Sequence, residues 1–370
     1  MVTGVQTCAL PILKTICIVL GILILALLAY IVYLYASYYR IEDNQELVVE
    51  APVDDTTTGA AAVLATDTEY SAVTYNIGFG AYLPDYSFFM DGGTSSWAES
   101  PETVQYAING AGELVKSLDP DFALIQEIDL DATRSYHTDE YEMLRNLLPE
   151  YTTVFAQNYD SAFLFYPFTQ PHGSSRAGLG LFSKYPVSSA LRRSFPISTS
   201  FSKFFDLDRC YSVSRIPVDN GKELVIFNLH MSAYGNSDEI RKGQIEMLCN
   251  DMAKEYEAGN YVLCGGDFNH DLKASEEDAE NCESWAFPFP RTELPEHFAF
   301  CLDLLSSEEK ESLWNSARNA DMEYVPGVTY TVTLDGFIIS DNIECLSYEN
   351  VNTGYSYSDH DPVKVEFALK

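Results

Sequence analysis

A chain of 370 residues with 46% apolar and 13% aromatic content is long enough to bury a substantial core. Its 22 basic side chains against 55 acidic ones leave a formal net charge of −33. That balance disfavours a surface that tracks a nucleic-acid backbone, although a local cationic pocket or a bound metal would still serve a small site.

In chain order, residues 1–12 come first, "MVTGVQTCALPI". From Val2 to Ile12 they read as a sequencing adapter translated in frame, so they are set aside as an artefact together with Cys8, and the native start is expected to be missing. Residues 13–39 follow as a membrane anchor. The run from Ile16 to Ala36 carries no charge and is long enough to cross a bilayer as a helix, with Tyr30, Tyr33, Tyr35, Tyr38 and Tyr39 as an interfacial belt. A cleaved signal peptide competes with this reading, because Ala36 and Ser37 are small, but the apolar run exceeds a usual signal core. Lys14 and Arg40 balance across the span, so orientation rests on the position of the anchor. A single-pass protein of the cell membrane with an extracytoplasmic domain is the expected arrangement.

Residues 40–68 are acidic, then rich in Thr, Ala and Gly, and are expected to form a linker. Strands are predicted over 71–77, 122–128, 178–185, 211–218, 223–231, 261–266, 336–340 and 363–369. Helices are predicted over 102–118, 139–148 and 237–259, the last with Ser237 as N-cap. Such alternation over residues 69–370 implies one α/β domain with layered sheets. Cys264 reads as a small buried hydrophobe, and Cys282 with Cys301 as a candidate disulfide around an acidic, Pro-rich insert.

Polar groups recur where apolar runs end: Asn76 after "AVTY", Glu127 after "FALIQ", His230 after "VIFNL", and Asp267 with Asn269 after "YVLCGG". Asp335 in "TLDGF" and Asp359 with His360 in "SDHDPV" join them later in the chain. Each alone reads as a turn or a solvated side chain. Strand ends on one edge of a sheet converge on a common cleft, however. Carboxylates, amides and imidazoles together suit metal-assisted cleavage of a phosphate ester, which needs a hard cation and a positioned base. In "YVLCGGDFNHD" the two-residue period sets Asp267 and Asn269 on one side and Phe268 and His270 on the other, and Gly265 and Gly266 make room for a close approach.

The motifs "TYNIG", "DPDFALIQEID", "GLGLFSKYP", "VIFNLHMSA", "CGGDFN", "TLDGFI" and "SDHDPV" occur in this order, and on them the chain resembles the endonuclease/exonuclease/phosphatase superfamily with its DNase-I-like fold. The resemblance covers residues 69–370 and implies a four-layered α/β/β/α sandwich with two mixed β-sheets. It implies Glu127, Asn76 and Asp359 around Mg²⁺, with Mn²⁺ or Ca²⁺ as alternatives. It further implies Asp267 acting on the attacking water, Asn269 and His360 at the phosphate, Asp335 orienting His360, and His230 assisting the leaving group. Gly78 stands where some DNA-repair members carry an acid, and Gly336 where an aromatic is common, which weakens a repair-nuclease reading.

Residues 162–215 interleave aromatics with His172, Arg176, Arg192, Arg193 and Arg209, and are expected to choose the substrate. Arg176 and His172 are the candidate substrate contacts there; an aromatic core with surface arginines is the plain alternative. The functional expectation is a membrane-tethered, metal-dependent phosphoesterase, monomeric, acting on a phospholipid headgroup or a small phosphate ester. A DNase-I-type nuclease is the first alternative, and a non-catalytic binding module with this fold the second.

Overall fold

The computed structural model describes residues 6–54, 63–233, 238–275 and 285–370. The chain divides into two units, residues 1–40 and 41–370. The first holds helix α1 (Gln6–Ser37), whose stretch Pro11–Ser37 is long and apolar enough to cross a membrane.

The second unit is built on two seven-stranded mixed sheets. One sheet runs, in spatial order, β1 (Gln45–Glu46), β7 (Ser189–Ser194), β8 (Cys210–Pro217), β9 (Glu223–His230), β10 (Tyr261–Asp267), β14 (Asp335–Ser340) and β11 (Phe298–Phe300). The other runs β15 (Ile343–Asn350), β16 (Val363–Leu369), β3 (Glu69–Asn76), β4 (Phe122–Ala132), β6 (Ser175–Ser183), β5 (Thr152–Asp160) and β2 (Val49–Glu50). A short pair, β12 (Ala317–Arg318) with β13 (Thr331–Val332), stands apart.

Between the sheets, Leu124 and Phe122 of β4 share a buried cluster with Phe227 of β9 and Leu263 of β10. One polar bridge crosses this interior: Gln126 Nε2 donates to Asn228 Oδ1 at 2.8 Å, and Asn228 Nδ2 donates to the Gly180 carbonyl at 3.0 Å. Both amides are thereby satisfied, as buried polar groups require. Helix α2 (Pro101–Leu118) lays Val104, Ile108, Ala111 and Val115 over Tyr75, Ala123 and Ile125 on the outer face of the second sheet. Ser100 caps it, accepting from Thr103 N, and Pro101 occupies the first turn where its missing N–H costs nothing. Helix α3 (Glu140–Leu147) joins that layer through Leu144. Helix α4 (Asp238–Glu257) covers the first sheet with Ile245, Leu248 and Met252. The result is the expected α/β/β/α sandwich. A last helix, α5 (Ser307–Ser312), lies in the connection between β11 and β12.

Several local expectations differ from the structure. Residues 41–50, read as part of a linker, extend both sheets: β1 pairs with β7 and β2 with β5, both antiparallel. Ile41 N donates to Asp208 Oδ2 at 2.6 Å, and the buried Arg192 guanidinium donates to the carbonyls of Glu42, Gln157 and Asp208. Strands β5 and β7 were not predicted, because Gln157 and Asn158 dilute the apolar period of one and Arg192 with Arg193 that of the other. Ser237 and Cys282 lie outside the described residues. Cys301 is buried and its thiol is hydrogen-bonded with that of Cys345, while Cys264 lies buried in β10 as expected.

Candidate active site

The parallel pair β3/β4 and the parallel pair β9/β10 end on the same edge of the sandwich, which brings Asn76, Glu127, His230 and Asp267 together. Asn76 closes β3; its Nδ2 donates to Glu127 Oε1 at 3.2 Å and to Asp267 Oδ2 at 3.1 Å, joining the two sheets. Glu127 sits in a bulge of β4 between Ile125 and Ile128, with φ at 57°. A bulge re-aims one side chain without ending the strand, and a positive φ at a non-glycine residue is strain held by its surroundings. His230 Nε2 lies 3.5 Å from Asp267 Oδ2 and 3.9 Å from Glu127 Oε1.

Asp267 is the last residue of β10, opposite His230 on one side and Asp335 on the other. Its Oδ1 accepts from Asn269 N at 2.8 Å, while Asn269 Nδ2 donates to the Met231 carbonyl at 2.9 Å. This amide turn fixes Asn269 with φ at 50° beside the carboxylate, instead of continuing the extended chain. Phe268 packs on Phe289 and Phe300, and buried His270 is bonded through Nδ1 to the Phe268 carbonyl, so neither joins the polar group. Gly266 has φ at 147°, and a Cβ there would stand 2.1 Å from the Leu229 carbonyl oxygen.

Asp335 and His360 form a dyad, Oδ2 to Nδ1 at 2.7 Å, and Ser316 Oγ donates to the same Oδ2 at 2.7 Å. His360 Nε2 faces Asp267 Oδ2 at 3.8 Å. The loop bearing Asp359 and His360 is held by Ser358 Oγ donating to the Asn76 carbonyl, by Arg318 N donating to the Asp359 carbonyl, and by a bridge between Ala317 and His360. Gly78, which stands where some DNA-repair members carry an acid, has φ at 54°; a Cβ there would meet Tyr82 at 2.7 Å and Asp359 Oδ1 at 3.1 Å.

Burial pushes the carboxyl groups of Glu127 and Asp359 up from their usual range. The Arg134 charge opposes this at Glu127 and the Asp359 charge adds to it; His360 and Arg318 oppose it at Asp359. Burial likewise holds Asp267 up at about 7. Burial alone would lower His360, but the carboxylates of Asp335 and Asp267 overcome it and hold the imidazole well above its ordinary value. His230 is driven well below its ordinary value, by burial first and then by the charge of Arg209. Two buried carboxylates, Asp267 and Asp335, and two half-buried ones, Glu127 and Asp359, therefore face one imidazolium, an excess of negative charge that low-dielectric surroundings amplify. Glu127 and Asp359 offer carboxylate oxygens, which suit a hard divalent cation, whereas Asn76 turns its Nδ2 toward Glu127 and Asp267 and its Oδ1 accepts from Gly78 N at 3.0 Å. Asp267, Asp335 and His360 place ligand atoms within 4.8 Å of one another as well, but the Asp335–His360 bond already occupies part of that set.

Arg176 and His172 stand apart from this group. Arg176 is half-exposed and paired with Asp131 at 3.1 Å, and His172 is buried against Phe88 and Phe89, where burial lowers its pKa to about 3. Two supporting side chains had no signature in the sequence. Arg134 is buried in a two-pronged bond with Asp129 at 3.0 and 2.8 Å and lies 3.7 Å over the Phe79 ring, where its charge reaches Glu127. Ser316, from an unremarkable loop, locks Asp335.

The sequence profile described as "Endonuclease/Exonuclease/phosphatase family" matches residues 73–304. Solved structures repeat the fold at low identity. An endonuclease/exonuclease/phosphatase from Beutenbergia cavernae is 14% identical, with a TM-score of 0.55 over 81% of this chain and 72% of its own. One from Bacteroides vulgatus is 17% identical, with a TM-score of 0.52 over 82% and 100%. TDP2 of D. rerio, solved with a single-strand DNA product, is 13% identical, with a TM-score of 0.54 over 82% and 100%. No curated protein sequence matches.

Proposed function

Because the chain belongs to the endonuclease/exonuclease/phosphatase family, whose members are hydrolases of phosphoester bonds and generally depend on a divalent metal, we propose that it is a membrane-tethered phosphoesterase using Mg²⁺. The observation that carries this reading is the meeting of Asn76, Glu127, His230 and Asp267 in one cleft beside the Asp335–His360 dyad.

In this reading Glu127 and Asp359 would hold the ion, with Asn76 near it, and the ion would supply neutralisation of the phosphate and polarisation of the ester. Asp267 takes a proton from the attacking water, and its raised pKa suits a base working near neutrality. His360, kept protonated by Asp335, donates a charged hydrogen bond to the phosphate, with Asn269 beside it. His230, kept neutral, is placed to steady the leaving oxygen.

A phospholipid headgroup or a small phosphate ester is the favoured substrate class. In the loop between β5 and β6, Tyr166 is 62% and Phe168 85% exposed; in the loop before β8, Phe201 is 48% exposed. Aromatics in such numbers suit a membrane interface. The apolar α1 and an extracytoplasmic placement of the domain complete the proposal. A DNase-I-type nuclease is the second reading, since the same rings offer stacking surfaces for unpaired bases and the TDP2 relative was solved with DNA.

The test is to incubate the purified full chain in detergent with Mg²⁺, Mn²⁺ or Ca²⁺ and sphingomyelin, phosphoinositides, p-nitrophenyl phosphodiesters, plasmid DNA or RNA. Hydrolysis of lipid or small esters, abolished by EDTA and lowered at least about a hundredfold in Glu127→Gln, is expected. Cleavage of nucleic acid alone establishes the second reading, and activity surviving both EDTA and Glu127→Gln overturns the metal chemistry. Protection of the domain from protease added outside intact cells would contradict the extracytoplasmic placement.

A further inference from the structure

The sequence offers Cys282 as the partner of Cys301, but the fold brings Cys301 a different neighbour. Cys301 opens a 3-10 turn (Cys301–Leu304) directly after β11, the outermost strand at one rim of the first sheet. Cys345 lies in β15, the outermost strand at one rim of the second sheet. Along β15 the two-residue alternation puts Cys345 on the same side as the buried Ile343. Between Cys345 and Ser347 the pairing with β16 shifts, so the exposed Leu346 is the extra residue and Tyr348 takes over the inward face. On that face Ile343, Cys345 and Tyr348 pack in one apolar cluster with Phe300, Cys301 and Leu302.

The two thiols meet there. Cys301 donates to Cys345 Sγ, and the Cys345 thiol in turn donates to the Ser347 carbonyl at 3.6 Å. Their surroundings differ, because Cys301 is fully buried and Cys345 is partly exposed. Burial holds the Cys301 thiol well above its ordinary pKa, while the hydrogen bond from Cys301 lowers that of Cys345. An oxidant arriving from solution therefore meets Cys345 first, with Cys301 behind it as the resolving thiol.

We propose that Cys301 and Cys345 are joined by a disulfide that staples the rims of the two sheets, formed by exchange with a small-molecule or protein disulfide. The Cys345 thiolate attacks one sulfur of that oxidant, giving a mixed disulfide and releasing one thiol. Cys301 then attacks the Cys345 sulfur, and its proton passes to the second departing thiol. The pair gives up two electrons and two protons, and the oxidant leaves as two thiols. The link closes the chain around α5, Ser316 and Asp335. Tyr348, on the inward face of the same strand, donates to the Asp335 carbonyl at 3.5 Å, so the staple lies in the wall that carries the Asp335–His360 dyad. The pairing stands apart from the phosphoesterase reading. Its presence in the cell rests on the extracytoplasmic placement, since disulfides persist in oxidising compartments.

The test incubates the folded full chain in detergent with oxidised glutathione, alkylates it and maps its peptides by mass spectrometry without reduction. A linked Cys301–Cys345 peptide is expected, with a melting temperature about 5 °C above that of protein reduced by dithiothreitol. The rise should vanish in Cys345→Ser. A Cys282–Cys301 link, or a Cys345–glutathione adduct beside an alkylated Cys301, overturns the pairing; both are read on wild type and stand even where the variant fails to fold. A correct link without any rise in melting temperature overturns the staple. Cells quenched in acid and alkylated before lysis are expected to hold the link already. A free pair in such cells, with the link forming in vitro, overturns the extracytoplasmic placement and not the pairing.

Discussion

At the scale of single residues, the site works by setting neighbouring groups in opposite protonation states. His360 is held charged by Asp335, while His230 is kept neutral by burial and by Arg209. The pair supplies a donor of positive charge and an uncharged imidazole within one cleft, a separation that acid–base chemistry requires. Replacing Asp335 by Asn removes the carboxylate that offsets the burial of His360. Its imidazole should then titrate at lower pH by NMR, and kcat should fall about 10²- to 10⁴-fold. The linkage has a definite sign. Because the folded His360 pKa is raised, its stabilising contribution is full below its unfolded value of about 6.5 and is lost as pH rises through the folded value. Urea melts of metal-free protein should show that alkaline loss in wild type and less of it in Asp335→Asn, where Asp267 still faces the imidazole.

At the scale of elements, each strand delivers its polar group by a different local device. Glu127 comes from a bulge, Asp267 from a strand that stops at an amide turn, and Asn76 from a strand followed by a left-handed glycine. Gly266 shows how tightly β10 must approach β9. Gly266→Ala is expected to cost at least about 1–3 kcal/mol in backbone strain alone, with the contact to Leu229 adding to it, read as a lower denaturation midpoint. The sequence made the apolar runs of β3, β4, β9 and β10 and their terminal polar residues legible, because strand ends and motif spacing are local. It could not reveal that Asn76 bonds Glu127 and Asp267 at once, since those partners are 51 and 191 residues away. Nor could it tell Arg192, Arg134 and Arg209 from surface arginines, because a buried guanidinium is recognised only by the partners that the fold brings to it or withholds. The two-residue alternation likewise failed at Asn269, where the chain leaves the extended region.

At the scale of the molecule, residues 41–50 change where the domain begins. Without β1 and β2, the edges of β7 and β5 lie bare, and Arg192 loses its carbonyl partner at Glu42. Exposed strand edges are templates for association. A fragment starting at Ile41 is therefore expected to elute as a monomer in size-exclusion chromatography, and one starting at Glu69 to aggregate or to melt at lower temperature. The acidity of the chain belongs to the same scale, since a net charge of −33 discourages close approach of a long polyanion more than that of a small ester.

The same ten residues also define a path for mechanical load. Tension applied from the N-terminal side enters the domain at Ile41 and its bond to Asp208, and passes next into the β1–β7 rungs and the Arg192 knot. These sit at the rim of one sheet, whereas β9, β10 and β14 occupy its interior. A pull would peel the rim first, so the cleft is insulated from force by a sacrificial margin.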